Sequence, residues 1–444
     1  MNMLEKVKAA GIIGAGGAGF PTHMKLNSQS DYILLNGAEC EPLLRVDQQL
    51  MEIYPEKIIT GFFLAGQQVG AGEAIIGIKN KHRKVISILQ NKIKELDLVG
   101  KVVVKELPDV YPAGDEQVLV YELTGRVVPE MGIPLNVGCV VINTETALNI
   151  FNAVNNEPVT MKYVTVAGDV PKPITVKVPI GTPIKELIAL SGRENLDNYE
   201  VIDGGPMMGP LMNNHDGYVT KKTKGIVILK EEHSLIKRKK KAMRAAITLN
   251  KSACEQCSLC TDLCPRHLLG HSTSPHKMVR AMSFSKMTSD SDLTVAQTCC
   301  QCNLCEYYSC PAGINPKMAN VYFMTKQRAS GIKHVPQKNE FSPRNLREYR
   351  MVPSSRLIAR LEIKEYDKKA PLDENIDYSP ETVGISLISH VGAGAIPIVA
   401  PQDKVKKGDL IAKIPEEKLG ASYHSSIDGT VESIDNDIII IRRD

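Results

Sequence analysis

Over the first third of the chain, apolar residues fall into short runs separated by glycine-rich turns: YILLN (32–36), AIIGI (74–78), KVVV (101–104) and GCVVIN (138–143). Runs of that length bounded by turn signals predict buried strands. Between them the spacing changes. Across residues 81–96, Val85, Ile88, Leu89 and Ile93 recur at helical intervals, which predicts an amphipathic helix. Strands alternating with helices specify an α/β layer domain, assigned to residues 1–156. From 157 to 232 the texture shifts to YVTVAGDV, PITVKVPIG, a helix in PIKELIALSG, then YEVIDGGPMMG and GIVILK, the pattern of a small α+β module. The expected fold class is therefore multidomain, α/β followed by α+β.

Downstream, the basic run Lys237–Lys241 (KRKKK) opens a helix expected to continue through Ala246, with the charges on a solvated face. Residues 233–335 hold most of the cysteines. Residues 336–444 begin as a polar linker (337–381) and end in GAIPIVAPQDKVKKGDLIAKI and YHSSIDGTVESIDNDIIIIR. Short strands joined by Gly, Pro and Asp turns predict a small β-sandwich or barrel there.

Composition narrows the function classes. With 444 residues, 43% hydrophobic and 23% charged, the chain is long enough for several packed domains and is not a disordered polymer. A net charge of +4, no Trp and 5% aromatics argue against nucleic acid as partner, because neither a basic face nor stacking platforms are supplied. The apolar stretch 61–78 is interrupted by Gln67, Gln68 and Glu73, short of the about 18 apolar residues of a membrane span. The start, MNMLEKVKAAGIIGAGG, has no apolar core of signal-peptide length, so a soluble cytoplasmic protein is expected.

Eleven cysteines are present; Cys40 and Cys139 stand alone and the other nine lie between Cys254 and Cys310. Such clustering in a long chain reads as metal ligation in a reducing compartment. Cys254-x2-Cys257-x2-Cys260-x3-Cys264-Pro265 is the spacing of bacterial ferredoxins, in which three thiolates hold one cubane and the fourth reaches the other. A second copy, Cys299-x2-Cys302-x2-Cys305-x4-Cys310-Pro311, has one residue more before its last cysteine. Together they predict two [4Fe–4S] clusters with exchanged fourth ligands: Cys254, Cys257, Cys260 and Cys310 on one, Cys299, Cys302, Cys305 and Cys264 on the other. Cys300 competes with Cys299 for its place; the x2 register favours Cys299. Zinc would need two separated pairs per ion, which this spacing does not supply.

Residues 14–19 (GAGGAG) match G-x-G-x-x-G, but Phe20-Pro21 follows where a dinucleotide-binding fingerprint needs a helix to open. What remains is a loop of exposed backbone N–H groups that can approach a phosphate closely.

Four motifs in order, GAGGAGFPT (14–22) with Lys25, NGAECEP (36–42), YPAGDEQVLVYELTG (111–125) and INTETALNI (142–150), resemble the flavin-binding subunit of respiratory complex I. The resemblance implies FMN and NADH as electron donor. It places Gly14, Gly16, Gly17 and Lys25 near the flavin phosphate and ring, and Asn36, Glu39 and Glu41 at the isoalloxazine and nicotinamide. Tyr111, Gly114, Asp115 and Glu116 then lie beside them, with Asn143 and Thr144 at the phosphate. Cys40 and Thr144 depart from the family pattern, which has Gly and Asn there. The 157–232 module is similar to the β-grasp (SLBB) domain that follows the flavin domain in complex I and in Rnf-type subunits, where it is read as a spacer. The C-terminal strands resemble a barrel-sandwich domain related to lipoyl carriers, without the Asp-Lys of a lipoylation site.

Taken whole, the order of modules resembles the cobalamin-reductase family of the propanediol-utilisation microcompartment. That implies NADH-dependent reduction of cob(III)alamin or cob(II)alamin toward cob(I)alamin in support of a B12-dependent diol dehydratase. Cobalamin, a corrinoid-handling adenosyltransferase and a shell protein are the implied partners, and the microcompartment interior the implied location. The alternative is an electron-wiring subunit of a microcompartment or Rnf-like complex that serves a protein partner. No catalytic acid, base or nucleophile is assignable.

Overall fold

The computed structural model describes residues 1–283, 293–374, 376 and 378–444; the stretch 284–292 of the cysteine-rich region lies outside them. Along the first domain run α1 (Met3–Ala9), α2 (Thr22–Leu26), β1 (Tyr32–Gly37), α3 (Val46–Ile53), α4 (Pro55–Gln68), β2 (Glu73–Lys79), α5 (Arg83–Glu95) and β3 (Val102–Leu107). They are followed by β4 (Val110–Tyr111), α6 (Glu116–Thr124), β5 (Cys139–Asn143) and α7 (Thr144–Val154). A parallel sheet forms in the order β3-β2-β1-β5. Parallel sheets are covered on both faces, which is why the strands read as unbroken apolar runs. Ile33 and Leu35 pack with Ile58 and Phe62 of α4, while Leu34 between them packs with Leu119 and Leu123 of α6. Gly61 lets α4 and α7 touch, since a Cβ there would sit 2.1 Å from the Ala147 carbonyl oxygen. In the register, Asn36 lies opposite Asn143, so β1 and β5 end together at the edge where open α/β sheets bind ligands.

The second module contains β6 (Met161–Gly168), β7 (Ile174–Pro179), α8 (Ile184–Ala189), β8 (Tyr199–Asp203) and β9 (Gly225–Lys230). Its sheet order is β7-β6-β9-β8, with β6 and β9 the parallel central pair. Here the strands and helix fall where the sequence pattern placed them.

Two expectations are corrected. The basic run does not carry one continuous helix: α9 (Ser234–Lys239) ends inside it and α10 (Met243–Ala253) starts afresh. Lys237, Arg238 and Lys239 occupy the last turn of α9, where cations complement the helix dipole. Lys239 is drawn inward, its Nζ donating to the Gly209 carbonyl at 2.6 Å, and Lys240 pairs with Glu200 and Glu231. Nor is the polar linker a free tether. Its β10 (Val352–Pro353) pairs antiparallel with β4, and Leu357, Leu361 and Ile363 are buried in one core with Tyr111. Beyond it, a four-stranded and a three-stranded sheet enclose Val383, Ile385, Ile411, Tyr423, Val431, Ile439 and Ile441, the expected small sandwich.

Candidate flavin and iron–sulfur sites

The glycine loop is closed at its base by an antiparallel bridge between Ile13 and Pro21 and by the Gly14 N–H donating to the Phe20 carbonyl at 2.9 Å. Pro21 is the cap of the short helix α2, so no strand feeds the loop and no long helix leaves it. Gly16 and Gly19 adopt φ of +92° and +78°, conformations that favour glycine. The loop leans on the start of α7: the Ala15 N–H donates to Thr146 Oγ1 at 3.1 Å, and a Cβ on Gly14 would lie 3.9 Å from Asn143 Oδ1. Asn143 makes no side-chain cap to α7.

Several expected site residues converge beside this loop. Lys25 Nζ donates to Glu116 Oε1 and to the Val141 carbonyl, each at 2.9 Å. Asn36 Nδ2 donates to the Gly114 carbonyl at 2.9 Å, and Thr144 Oγ1 donates to the Asn36 carbonyl at 3.4 Å. Asp115 caps α6 by accepting from the N–H groups of Gln117 and Val118, both at 3.1 Å. Lys25, Asn36, Gly114, Asp115, Glu116, Asn143 and Thr144 thus share the carboxyl edge of the sheet with Gly14, Gly16 and Gly17. Around Gly17 a Cβ would meet nothing within 4 Å, so its face is open.

The two glutamates of NGAECEP are used differently. Glu39 caps α3, accepting from the N–H of Asp47 at 2.8 Å and of Gln48 at 3.3 Å. Glu41 is committed to the β-grasp module, where it accepts from the N–H groups of Met207 (2.9 Å) and Met208 (3.0 Å). Burial raises its pKa, with the Met207 N–H opposing. Two buried ion pairs, Lys162–Glu145 and Lys224–Asp47, join the same module to α7 and α3. Desolvation is the largest effect on Lys224, yet Asp47 and Glu39 outweigh it and hold its pKa above the usual value.

The cysteines line two small hollows. One is bounded by Cys254, Cys257, Cys260 and Cys310, the other by Cys264, Cys299, Cys300, Cys302 and Cys305. The loops that carry them are conformational copies. Gln256 and Ser258 have φ of +52° and +61°, while Gln301 and Asn303 have φ of +56° and +62°. That correspondence aligns Cys254, Cys257 and Cys260 with Cys299, Cys302 and Cys305, and leaves Cys300 opposite Glu255. The additional residue before Cys310 is absorbed by a π-helical turn over Cys305–Ser309, the device by which a helix takes in one extra residue.

Among the described residues, no three His, Cys, Asp or Glu side chains close on a point as ligands of one metal ion would. The sulfurs instead stand around a space, as the corners of a cluster require. Burial, reinforced by neighbouring thiols, pushes Cys260, Cys264 and Cys299 up to about 12. Sulfurs so placed become thiolates only against a strong positive centre, which iron supplies. The donor set and its setting therefore fit iron–sulfur clusters.

Between crevice and hollows lies a buried polar seam that the sequence reading missed in part. Arg266, two residues after Cys264, reaches back to the flavin domain with Nη2 2.9 Å from Asp115 Oδ2. Burial is the largest effect on its guanidinium and opposes the charge, but Asp115, Cys300 and Cys264 overcome it and raise its pKa. The Tyr111 hydroxyl donates to the Cys302 carbonyl at 2.7 Å, and Asn303 Nδ2 donates to the Met207 carbonyl at 2.6 Å.

Comparison with known proteins follows this division. The Nuo51 FMN-binding domain model matches residues 7–161, the SLBB domain 163–211, the 4Fe-4S dicluster domain 253–315 and the RnfC barrel sandwich hybrid domain 358–442. Fold and site together define a flavo-iron–sulfur electron-transfer protein on the plan of the flavin-binding member of complex I. Cobalamin reductase PduS of Citrobacter freundii is 42% identical over 440 residues, covering 99% of this chain and 96% of that protein; PduS of Salmonella typhimurium shows the same values. The chain belongs to the cobalamin reductase PduS family. A more distant relative is a component of the Na(+)-translocating ferredoxin:NAD(+) oxidoreductase complex of Acetobacterium woodii, 36% identical over 270 residues, 60% of this chain and 58% of that one.

Proposed function

We propose that this protein is an NADH-dependent cobalamin reductase that passes electrons from FMN through two [4Fe–4S] clusters to cob(III)alamin or cob(II)alamin, supporting a B12-dependent diol dehydratase. The observation that carries the reading is the Asp115–Arg266 pair, which joins the helix cap at the flavin crevice to the hollow of Cys264, Cys299, Cys302 and Cys305. When bound, flavin accepts two electrons as a hydride equivalent and the clusters carry them singly.

The rest is the work of the chain. Gly14, Gly16, Gly17, Asn143 and Thr144 form the cradle for the flavin nucleotide, and Lys25, held by Glu116, brings a cation to the same edge. Asn36 and Gly114 fix the crevice wall, Tyr111 ties the strand behind it to the cysteine loop through the Cys302 carbonyl, and Glu39 and Glu41 set the loop between β1 and α3. Cys264, Cys299, Cys302 and Cys305 hold the inner cluster; Cys254, Cys257, Cys260 and Cys310 hold the outer one, and Cys300 is no ligand. In the outer set Cys257 is exposed, Cys254 and Cys260 are half-buried and Cys310 is buried, whereas in the inner set Cys299 is half-buried and Cys264, Cys302 and Cys305 are buried, so electrons leave by the outer cluster. An exit at the surface suits a corrinoid presented there, free or on an adenosyltransferase, inside a microcompartment. The same exposure favours a second reading, an electron-wiring role toward a protein partner such as a shell protein.

Anaerobic titration with NADH, following flavin bleaching, cluster EPR and cob(I)alamin formation together, separates these readings. Bleaching, two cluster signals and corrinoid reduction are expected. Bleaching and cluster reduction without turnover of free corrinoid would select the wiring role, and no bleaching by NADH would reject both.

A further inference from the structure

The segment Thr220-Lys221-Lys222-Thr223-Lys224, leading into β9, lies across the glycine loop of the flavin domain. It is anchored from two domains and braced internally. Lys221 is buried, and its Nζ donates to the carbonyls of Gly11 (2.6 Å) and Ser422 (2.7 Å), one from the flavin domain and one from the barrel sandwich. The Thr220 N–H donates to Thr223 Oγ1 at 3.0 Å, and the two hydroxyls are 3.1 Å apart. The Val391 N–H donates to the Gly19 carbonyl at 3.0 Å and holds the far side of the loop.

This anchoring sets the two flanking lysines against glycine backbone. A Cβ on Gly19 would come within 2.8 Å of Lys222 Cδ, and one on Gly16 within 2.8 Å of Lys224 Cδ. Lys224 is already committed to Asp47. The ammonium of Lys222, two bonds beyond its Cδ, makes no hydrogen bond and no close ion pair among the described residues, although its charge acts on the Asp203 carboxylate and on His390. The N–H groups of Gly16, Gly17, Ala18 and Gly19 likewise donate to no acceptor among the described residues. Successive unpartnered amides in a loop of alternating hand form an anion-binding concavity, and lysine is a point-charge partner for phosphate.

We infer that Lys222 is the cationic arm of a phosphate site whose floor is the Gly16–Gly19 backbone, so that the β-grasp module closes the nucleotide site of a domain other than its own. The ligand chemistry is a phosphate ester, either the terminal phosphate of FMN or the pyrophosphate of the nicotinamide dinucleotide. The inference rests on the reading of the crevice as a flavin nucleotide site.

The test uses the full-length protein stripped of flavin, titrated with FMN and with riboflavin, and the reconstituted protein assayed for its KM with NADH. Lys222→Met keeps the stem that covers Gly19 and removes the charge; Lys222→Arg restores it. If the flavin phosphate is the ligand, Lys222→Met weakens FMN about ten- to hundredfold, leaves riboflavin unchanged, and Lys222→Arg recovers most of the loss. If the dinucleotide is the ligand, FMN affinity holds and the KM for NADH rises about tenfold or more with kcat kept. Unchanged FMN affinity together with an unchanged KM would reduce Lys222 to packing and overturn the inference. Failure of the wild-type protein to bind FMN at all would instead strike the flavin reading beneath it.

Discussion

Cys257→Ala is expected to lower iron from about eight to about four atoms per chain and to remove one cluster's EPR signal, with flavin content unchanged. Cys257 sits at the middle of the first loop, between residues of left-handed backbone conformation, and lines only the hollow that also contains Cys254, Cys260 and Cys310. The other cysteine loop lends it no substitute, because its spare thiol, Cys300, borders the opposite hollow. The companion variant Cys300→Ser should keep both signals, since Cys300 corresponds to Glu255 in the first loop and not to a ligand position. Iron analysis with EPR on anaerobically prepared protein decides both. Full iron in Cys257→Ala, or a missing cluster in Cys300→Ser, would break the ligand assignment.

The second large effect is expected from Arg266→Gln. Arg266 and Asp115 are 10% and 12% exposed in their side chains, and removing one partner of a buried pair leaves the other charge unpaired at a cost of about 3–5 kcal/mol. Two helix N–H groups still cap Asp115, which places the loss toward the lower end. Stability against heat should therefore fall. The guanidinium also lies beside Cys264 and Cys300, so its removal takes positive charge away from the inner cluster and makes the reduced form harder to reach. Potentiometric EPR titration should show one cluster moved to a more negative midpoint while the other stays in place. Arg266→Lys keeps the charge and should retain most of the midpoint. Two unshifted midpoints in Arg266→Gln would show that this cation does not act on either cluster.

What could be seen in the sequence was what is local. The buried strands are legible because parallel pairing covers both faces, which forces uninterrupted runs such as Ile33-Leu34-Leu35. The cysteine repeat is legible because Cys-x2-Cys-x2-Cys occurs twice in the sequence, and the two copies take the same backbone conformation. Long-range partners were not. Nothing near Arg266 announces Asp115, 151 positions earlier, and nothing in NGAECEP announces that Glu41 will be taken up by the amides of Met207 and Met208. Nothing in the local sequence around Lys222 and Lys224 announces that the fold lays them on Gly19 and Gly16. The linker misled for the opposite reason: its Lys, Arg and Pro content is that of a tether, while the apolar residues that dock it, Val352, Leu357, Leu361 and Ile363, are few and scattered.

That docked strap has a mechanical consequence. After leaving the cysteine loops, the chain returns to pair Val352–Pro353 with Val110–Tyr111 before continuing to the barrel sandwich. The polypeptide is therefore belted to itself: a protease nick in the exposed stretch near Lys338 would sever the covalent path without releasing either piece, and the fragments should co-elute on gel filtration under native conditions.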